Sequence, residues 1–285
     1  MTNEILIKEF NVLNDAAFKA IMCNPNNREM VVDVIYALTG IDKKLLRNAT
    51  YIGGEEIPKR NLKQKKQQTD MTIKIQKNHQ IVVEMNQTES TNMFEKNTEY
   101  VFSKIVETTP SKVKRYPKII LINIDNFNKY NTEEPILEFK IQDNKGHIES
   151  ELYQSIHFII ANAKNSTYNI DEELKKFARF LKQNTTVEEL ENEFKGDEKF
   201  MAAIRTVKDL SLDPEFSVYY DIEEAHKWDI EDAKLTGKEE GIEQANIETI
   251  KNLLNMNVLS IEQIAEATQL SVEEVKKIQS SFDNE

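Results

Sequence analysis

The sequence is poor in the residues that hold zinc or form cross-links. It has one cysteine, Cys23, and four histidines, at positions 79, 147, 157 and 226. No two histidines stand at the spacing of a zinc motif, and a single cysteine cannot form an intramolecular disulfide. Disulfide scaffolds and Cys-rich zinc sites are therefore excluded, and a His-based zinc site has no support in the sequence. Only 7 glycines and 6 prolines occur in 285 residues, which favours a globular chain rich in helix.

Long apolar runs are also missing. Residues 119–124, apolar except for Asn123, form a run far shorter than the roughly 20 residues that a helix needs to span a bilayer. The N-terminus lacks the basic, apolar and small-residue order that is typical of a signal peptide. We therefore expect a cytoplasmic protein without a membrane segment.

Two neighbouring segments show the period-two alternation of half-buried β-strands. Apolar residues take every second position in residues 71–75 and again in residues 81–85. If both apolar sets face one core, the two strands form a hairpin that pairs Met71 with Val83. A slip of one residue would turn one apolar set to solvent, so this register is strongly favoured.

The same register pairs Asp70 with Glu84 on the opposite face of the hairpin, with Asn86 beside them. Directly paired Cβ atoms lie roughly 5 Å apart. Two carboxylates that close repel each other unless a proton or a cation lies between them. Oxygen ligands favour Mg²⁺ or Mn²⁺ over zinc. The pattern indicates a divalent-metal site, although outward-facing acids also occur on ordinary solvated sheets.

The order of motifs along the chain resembles that of a nuclease superfamily. Asp70, followed by residues 84–86, a helix and a further apolar strand, is similar to the D…ExK motif of PD-(D/E)XK nucleases. More closely, the chain resembles the bacterial PD-(D/E)XK nuclease family transposases, or Rpn recombination-promoting nucleases. The other matching segments are residues 14–19, 94–100, 116–125 and 259–265.

This resemblance implies a fold and a reaction. The fold is α/β and restriction-endonuclease-like, with a mixed central sheet flanked by helices and an all-helical C-terminal extension. The reaction is hydrolysis of DNA phosphodiester bonds by an Mg²⁺- or Mn²⁺-dependent endonuclease, linked to recombination or mobile elements. Asp70 and Glu84 would be its catalytic metal ligands, because a bound cation polarises the phosphate and lowers the pKa of a bound water.

Two positions depart from the family pattern. The third motif position, usually Lys and often Gln in this family, is Asn86, whose neutral amide can orient a water but cannot act as a base. Asn97 stands where an Arg is expected, with Lys96 adjacent. These departures leave an alternative open, in which the chain is a catalytically degenerate nuclease scaffold that binds DNA or protein.

The helix after the hairpin supplies further candidates. Its spacing predicts a polar stripe of Lys96, Tyr100 and Lys104 and a buried stripe that includes Phe94 and Val101. Either Lys96, which we assign a catalytic role, or Tyr100 would then reach the metal-bound phosphate. An ordinary solvated helix face would show the same pattern.

Near the N-terminus, Asp15 has two possible roles. It could support the site from the first helix, or act only as an N-cap or structural partner of Lys19. We favour the structural role.

The charge distribution bears on a DNA partner. The net charge of −12 would repel DNA, but residues 1–130 have a balance of +5 and residues 131–285 one of −17. Clusters of basic residues flank the predicted site in the sequence. These loops could be solvated connectors, but that role would not concentrate positive charge near the site, so we favour DNA contact. The predicted DNA-binding residues are Lys59, Arg60, Lys63, Lys65, Lys66, Lys112, Lys114 and Arg115.

Three regions are predicted along the chain. We expect a nuclease-like core in residues 1–165, a helical extension in 166–240 and a small helix-turn-helix-like module in 241–285. In the module, capping boxes at Ser260 and Ser271 begin two short helices. The second of these helices presents acidic and basic residues with no net charge instead of the Arg, Asn or Gln that read base edges. We therefore expect oligomerisation or docking, with a homo-oligomer formed through the C-terminal helices, rather than DNA reading.

Overall fold

The chain forms two compact units, residues 1–221 and 222–285. The predicted division at residues 165 and 240 stays a prediction. The computed structural model describes residues 6–54, 56–57, 67–76, 79–89, 92–109, 112, 116–147, 149–164, 167–256 and 258–282.

A mixed sheet lies at the centre of the first unit. Its six strands are β1 (Thr50–Gly53), β4 (Met71–Gln76), β5 (His79–Asn86), β6 (Lys118–Asp125), β7 (Ile136–Gln142) and β8 (Glu149–Ile159), and two short strands, β2 (Glu56–Ile57) and β3 (Gln67–Gln68), pair separately. The strand order is β1-β4-β5-β6-β8-β7. Strand β6 is parallel to both of its neighbours, β5 and β8, whereas the other pairs are antiparallel.

Helices account for most of the remaining described chain. They are α1 (Asp15–Cys23), α2 (Arg28–Thr39), α3 (Lys43–Arg47), α4 (Met93–Thr108), α5 (Ile160–Lys164), α6 (Glu172–Phe180), α7 (Val187–Glu193), α8 (Glu198–Ser211), α9 (Pro214–Met256), α10 (Ile261–Thr268) and α11 (Val272–Phe282). The predicted mixed sheet with flanking helices is confirmed.

The hairpin register is the predicted one. Met71 pairs with Val83 and Ile73 pairs with Ile81, and all four side chains lie in the main hydrophobic core. The cause is the parity of the alternation, since any odd shift would expose one apolar set.

Both faces of the sheet are buried, and β6 shows how the residues are sorted. Its even-numbered residues Ile120, Ile122 and Ile124 belong to the main core. Its odd-numbered residues Ile119 and Leu121 belong to a smaller cluster that includes residues of α4. Strands covered on both faces read as nearly continuous apolar runs, which is why β6 is apolar at all but one of residues 119–124.

Helices from both halves of the first unit close the main core. Phe18 of α1 and Ile35 of α2 share one cluster with Phe177 of α6, Phe180 of α6 and Phe200 of α8. The main core is thus built from sequence positions that extend past residue 200. At the end of α2, Gly40 adopts φ 68° and closes the helix in the left-handed conformation that glycine reaches at little cost.

The second unit contains a small core of its own. Ile250, Ile264, Ala265 and Val275 are buried together. Both predicted capping boxes are present, as Ser260 exchanges hydrogen bonds with Gln263, and Ser271 does so with Glu274. The predicted homo-oligomer through these helices stays a prediction.

Helix α9 continues through Gly241, past residue 240 where the helical extension is predicted to end. It runs without a break from Pro214 to Met256. A glycine inside a helix costs only about 1 kcal/mol relative to alanine and does not end it, whereas a proline would. Although α9 is long, no helix in the described ranges is both long enough and apolar enough to span a membrane.

The turn between α10 and α11 contains a residue other than glycine in the left-handed conformation. Gln269 closes α10 at φ 58°, a left-handed conformation that costs a residue with a side chain about 1 kcal/mol or more. Gln269→Gly should therefore slow hydrogen exchange of the α10 and α11 amides about fivefold, since exchange reports this local free energy. The reverse change, Gly40→Ala, should speed exchange in α2. Unchanged exchange in α10 and α11 would contradict the assignment.

Candidate metal centre

Asp70 lies just before β4 and is held in place by backbone and charge. Its Oδ2 accepts a hydrogen bond of 2.6 Å from the backbone N–H of Met85, on the neighbouring strand β5. Its Oδ1 lies 3.4 Å from the Lys19 ammonium of α1. The side chain is only 7% exposed in total. Asp70 is thus a buried carboxyl with a fixed orientation at the end of the hairpin.

Glu84 lies opposite Asp70 when the hairpin register is continued by one residue. In β5 it follows Val83, the partner of Met71. Its Oε1 is buried and has no hydrogen-bond partner within the described residues. A buried carboxylate oxygen without a donor is energetically costly, so this atom requires a proton or a cation.

The two carboxyls raise each other's cost of ionisation. Burial raises the pKa of Glu84 well above its ordinary value, and the nearby Asp70 carboxylate raises it further, while the Lys96 ammonium opposes the shift. Burial, with Asp15 as the next contributor, raises the pKa of Asp70 to about 7. Both acids therefore hold a proton to higher pH than an exposed carboxyl does, unless another positive charge replaces it.

Asp15 reaches this site from the first turn of α1, although it is not the N-cap. That position belongs to Asn14, whose side chain accepts the N–H of Ala17. Asp15 pairs with Lys19 at 2.6 Å, and its negative charge contributes to the raised pKa of the Asp70 carboxyl. It is thus both a structural partner of Lys19 and a neighbour of Asp70.

The predicted stripes of α4 are wrong in part. Lys96 is exposed as expected, and its charge acts on Glu84. Tyr100 and Lys104 are buried, however, and Phe94 is 39% exposed. The predicted stripes are wrong because α4 covers a sheet face that is polar at one end. The buried side of α4 therefore includes polar residues, as well as amphipathic side chains whose long apolar stems are buried.

A buried polar network adjoins the acids on the side of the sheet that α4 covers. The amide nitrogen of Asn86 lies 2.8 Å from Asp125 Oδ1 and 3.2 Å from Asn123 Oδ1. Asn97 of α4 donates to the same Asn123 oxygen at 2.8 Å. His157 of β8 lies 2.7 Å from Asp125. Asn86 and Asn97, the two departures from the family pattern, therefore share one acceptor.

Three members of this network are not among the predicted site residues. Asn123, Asp125 and His157 have no exposed surface. A signal for them exists in the sequence, because Asn123 and Asp125 follow an apolar run and fall on alternate positions of a strand that is otherwise buried. Buried polar residues are rare unless they are hydrogen-bonded, so such positions mark a network.

Most of the predicted DNA-binding residues cannot be placed. Lys112 is described and exposed. The other seven lie outside the described residues: Lys59, Arg60, Lys63, Lys65, Lys66, Lys114 and Arg115.

The acids fit a divalent cation by their chemistry. In the described part of the chain, no three His, Cys, Asp or Glu side chains are grouped as ligands of one ion. Mg²⁺ is commonly bound by one or two carboxylates, with waters and substrate phosphates completing its shell. A pair of carboxylates with one unpartnered buried oxygen suits that mode of binding.

A comparison with protein families now bears on the site. The sequence profile of the PD-(D/E)XK nuclease family transposases matches residues 12–237. The chain belongs to this family. The matched segment contains the hairpin with Asp70 and Glu84, helix α4 and the buried network, so the resemblance seen in the short motifs is confirmed. PD-(D/E)XK nucleases usually use divalent metals. No curated protein and no solved structure matches the chain.

The raised pKa of Asp70 predicts how stability depends on pH without metal. Between the ordinary value of 3.8 and about 7, the folded state holds a proton that the unfolded state has released, so stability falls as pH rises through this window. Asp70→Asn removes the free-energy cost of ionising this buried carboxyl. In EDTA, it should stabilise the protein by about 1 kcal/mol or more at pH 8, with a smaller gain at pH 5.

Urea unfolding at both pH values measures this difference, and Glu188→Gln, at an exposed carboxylate of α7, is the control. A gain from Asp70→Asn that is the same at both pH values would show that Asp70 does not hold a proton in the folded state.

Proposed function

We propose that this protein is an Mg²⁺-dependent DNA endonuclease that acts in recombination or mobile-element biology. The observation that carries the proposal is the buried, unpartnered oxygen of Glu84 beside the fixed carboxyl of Asp70. Family membership supports a nuclease. Mn²⁺ would bind the same ligands, because both cations prefer oxygen.

In this proposal Asp70 and Glu84 hold the ion. When bound, the cation polarises the scissile phosphate and lowers the pKa of a water. The chain's own contribution is preorganisation: the Met85 N–H and the Lys19 ammonium fix Asp70, and strand β5 fixes Glu84. The cation also replaces the protons that burial holds on the two acids, so its binding strengthens as pH rises.

Lys96 is the group best placed to contact the phosphate from α4. It is exposed, and its charge acts on Glu84, so it lies at the open side of the acid pair. Tyr100 is buried, which makes it a weaker candidate for this contact. Lys112 and the basic residues outside the described ranges would hold DNA phosphates beyond the cleavage point.

A degenerate scaffold is the second candidate, and one observation favours it. Asn86 and Asn97 are neutral, and both donate their amides to buried acceptors. Neither supplies the positive charge that a lysine or an arginine would place near the phosphate. A scaffold of this kind would bind DNA or protein without cleaving it.

A plasmid-nicking assay separates the two candidates. An active enzyme nicks DNA with Mg²⁺ or Mn²⁺ and does not with EDTA. Asp70→Asn and Glu84→Gln should both lower nicking to the level seen without metal, because each removes a charged ligand. Glu188→Gln, the exposed control, should keep wild-type activity. Nicking that survives Asp70→Asn, or that ignores EDTA, would end the metal-nuclease assignment.

Lys96→Ala tests the phosphate contact. Loss of one phosphate contact reduces the slope of log K against log salt concentration by about 1. Filter binding to duplex DNA in EDTA measures this slope, and Lys96→Arg should restore most of it. Lys44→Ala, at an exposed lysine of α3, is the charge-matched control. An unchanged slope for Lys96→Ala would assign Lys96 to an ordinary solvated face.

A further inference from the structure

The amide of Asn86 has a defined orientation, which its buried neighbours impose. Its nitrogen lies 2.8 Å from Asp125 Oδ1 and 3.2 Å from Asn123 Oδ1. The Asn86 atom that faces both oxygens is the NH₂ group, which donates to each of them. Both of its hydrogens are then used, and Oδ1, on the other side of the planar amide, points away from Asp125 and Asn123.

His157 fixes the other oxygen of Asp125. Its Nδ1 lies 2.7 Å from Asp125 Oδ2, and its Nε2 lies 3.3 Å from the amide nitrogen of Asn123. The amide of Asn123 must donate to Nε2, since its oxygen accepts from Asn86 and Asn97. His157 therefore carries its proton on Nδ1 and donates it to Asp125, a tautomer that its neighbours impose.

These contacts close a ring of hydrogen bonds in which Asn86 is a double donor and Asp125 a double acceptor. Asn86 donates to Asp125 and to Asn123, Asn123 donates to His157, and His157 donates to Asp125. Ser155 also accepts from Asn123 at 3.1 Å, and the Tyr130 hydroxyl lies 3.2 Å from His157 Nδ1. All groups of the ring except Asn86 are fully buried, so no substrate reaches them directly.

The ring stands beside the acid pair through strand register. Glu84 and Asn86 alternate on one face of β5, and they pair across to Asn123 and Asp125 of β6. On the other side of β6, Asn123 pairs with His157. The oriented amide of Asn86 is thus two residues from Glu84 on the same face of the sheet.

We propose that Asp125 and His157 are positioning residues that hold Asn86 with its carbonyl oxygen available as a neutral ligand of the divalent cation. This proposal rests on the proposed function, because it requires a cation at Asp70 and Glu84. Mutating a residue that hydrogen-bonds to a metal ligand and fixes its orientation typically lowers metal affinity about 10- to 100-fold. Asn86 then contributes an oxygen that bears no charge, where the family pattern has a cationic residue.

A double-mutant cycle on Mn²⁺ affinity tests the proposal, read by electron paramagnetic resonance on the full chain. Asp125→Asn keeps the shape but can accept from only one of its two donors, so Asn86 loses its fixed orientation. We expect Asp125→Asn and Asn86→Ala each to weaken Mn²⁺ binding about tenfold. If Asp125 acts through Asn86, the double variant should be no weaker than Asn86→Ala alone.

A second pair of variants keeps Asp125 intact. His157→Asn places an amide N–H near the position of Nδ1 and should keep wild-type affinity, whereas His157→Leu should lose about tenfold. These variants decide the question if Asp125→Asn fails to fold, which thermal unfolding would reveal.

Two outcomes would overturn the inference alone. Wild-type affinity in Asp125→Asn and His157→Leu would show that the ring does not act on the cation. Additive losses in the double variant would assign the ring a general structural role instead. Failure of the proposed function looks different, because the wild type would then bind no Mn²⁺, or Asp70→Asn would leave binding unchanged, and both proposals would fall together.

Discussion

Two carboxyl groups buried at the end of one hairpin cannot both carry their charge without a compensating positive charge. Asp70 receives partial compensation from the Lys19 ammonium and the Met85 N–H. Glu84 Oε1 accepts no hydrogen bond from the described residues, although the Lys96 and Lys19 charges favour its ionised form. The uncompensated negative charge makes folding less favourable, and burial increases this effect. The arrangement opposes stability of the metal-free chain, and a bound divalent cation would reverse that effect.

The sheet explains why the polar groups meet at this place. Strands β5, β6 and β8 run parallel, so their C-terminal ends lie at one edge. The apolar residues of the α4 face, such as Ile119 and Leu121, come early in the strands, and the polar ones, such as Asn123 and Asp125, come late. In open α/β sheets, ligands are bound at the C-terminal ends of parallel strands. The same strands thus supply an apolar core and, beyond it, a polar site.

Local patterns predicted the parts of this site that depend on neighbouring residues. The hairpin register follows from the parity of two short alternating runs, so the pairing of Met71 with Val83 could be read from the sequence. The buried face of α4 could not, because Tyr100 and Lys104 look like solvent-facing residues until the partner face of the sheet is known. The ring is less predictable still, since Asn86 and His157 are far apart in the sequence. Both reach Asp125 only because β5 and β8 flank β6 in the sheet.

The shared acceptor also changes how the two departures from the family pattern relate to each other. Asn86 and Asn97 donate to the same oxygen, Asn123 Oδ1, and Asn123 has no exposed surface. A lysine at one position or an arginine at the other would need a different arrangement of the same buried acceptors, because a cation brings more donors and more volume. Residues that share a partner are energetically coupled. The two asparagines therefore form one matched set, in which neutral amides satisfy a neutral amide and a single carboxylate, rather than two independent losses of charge.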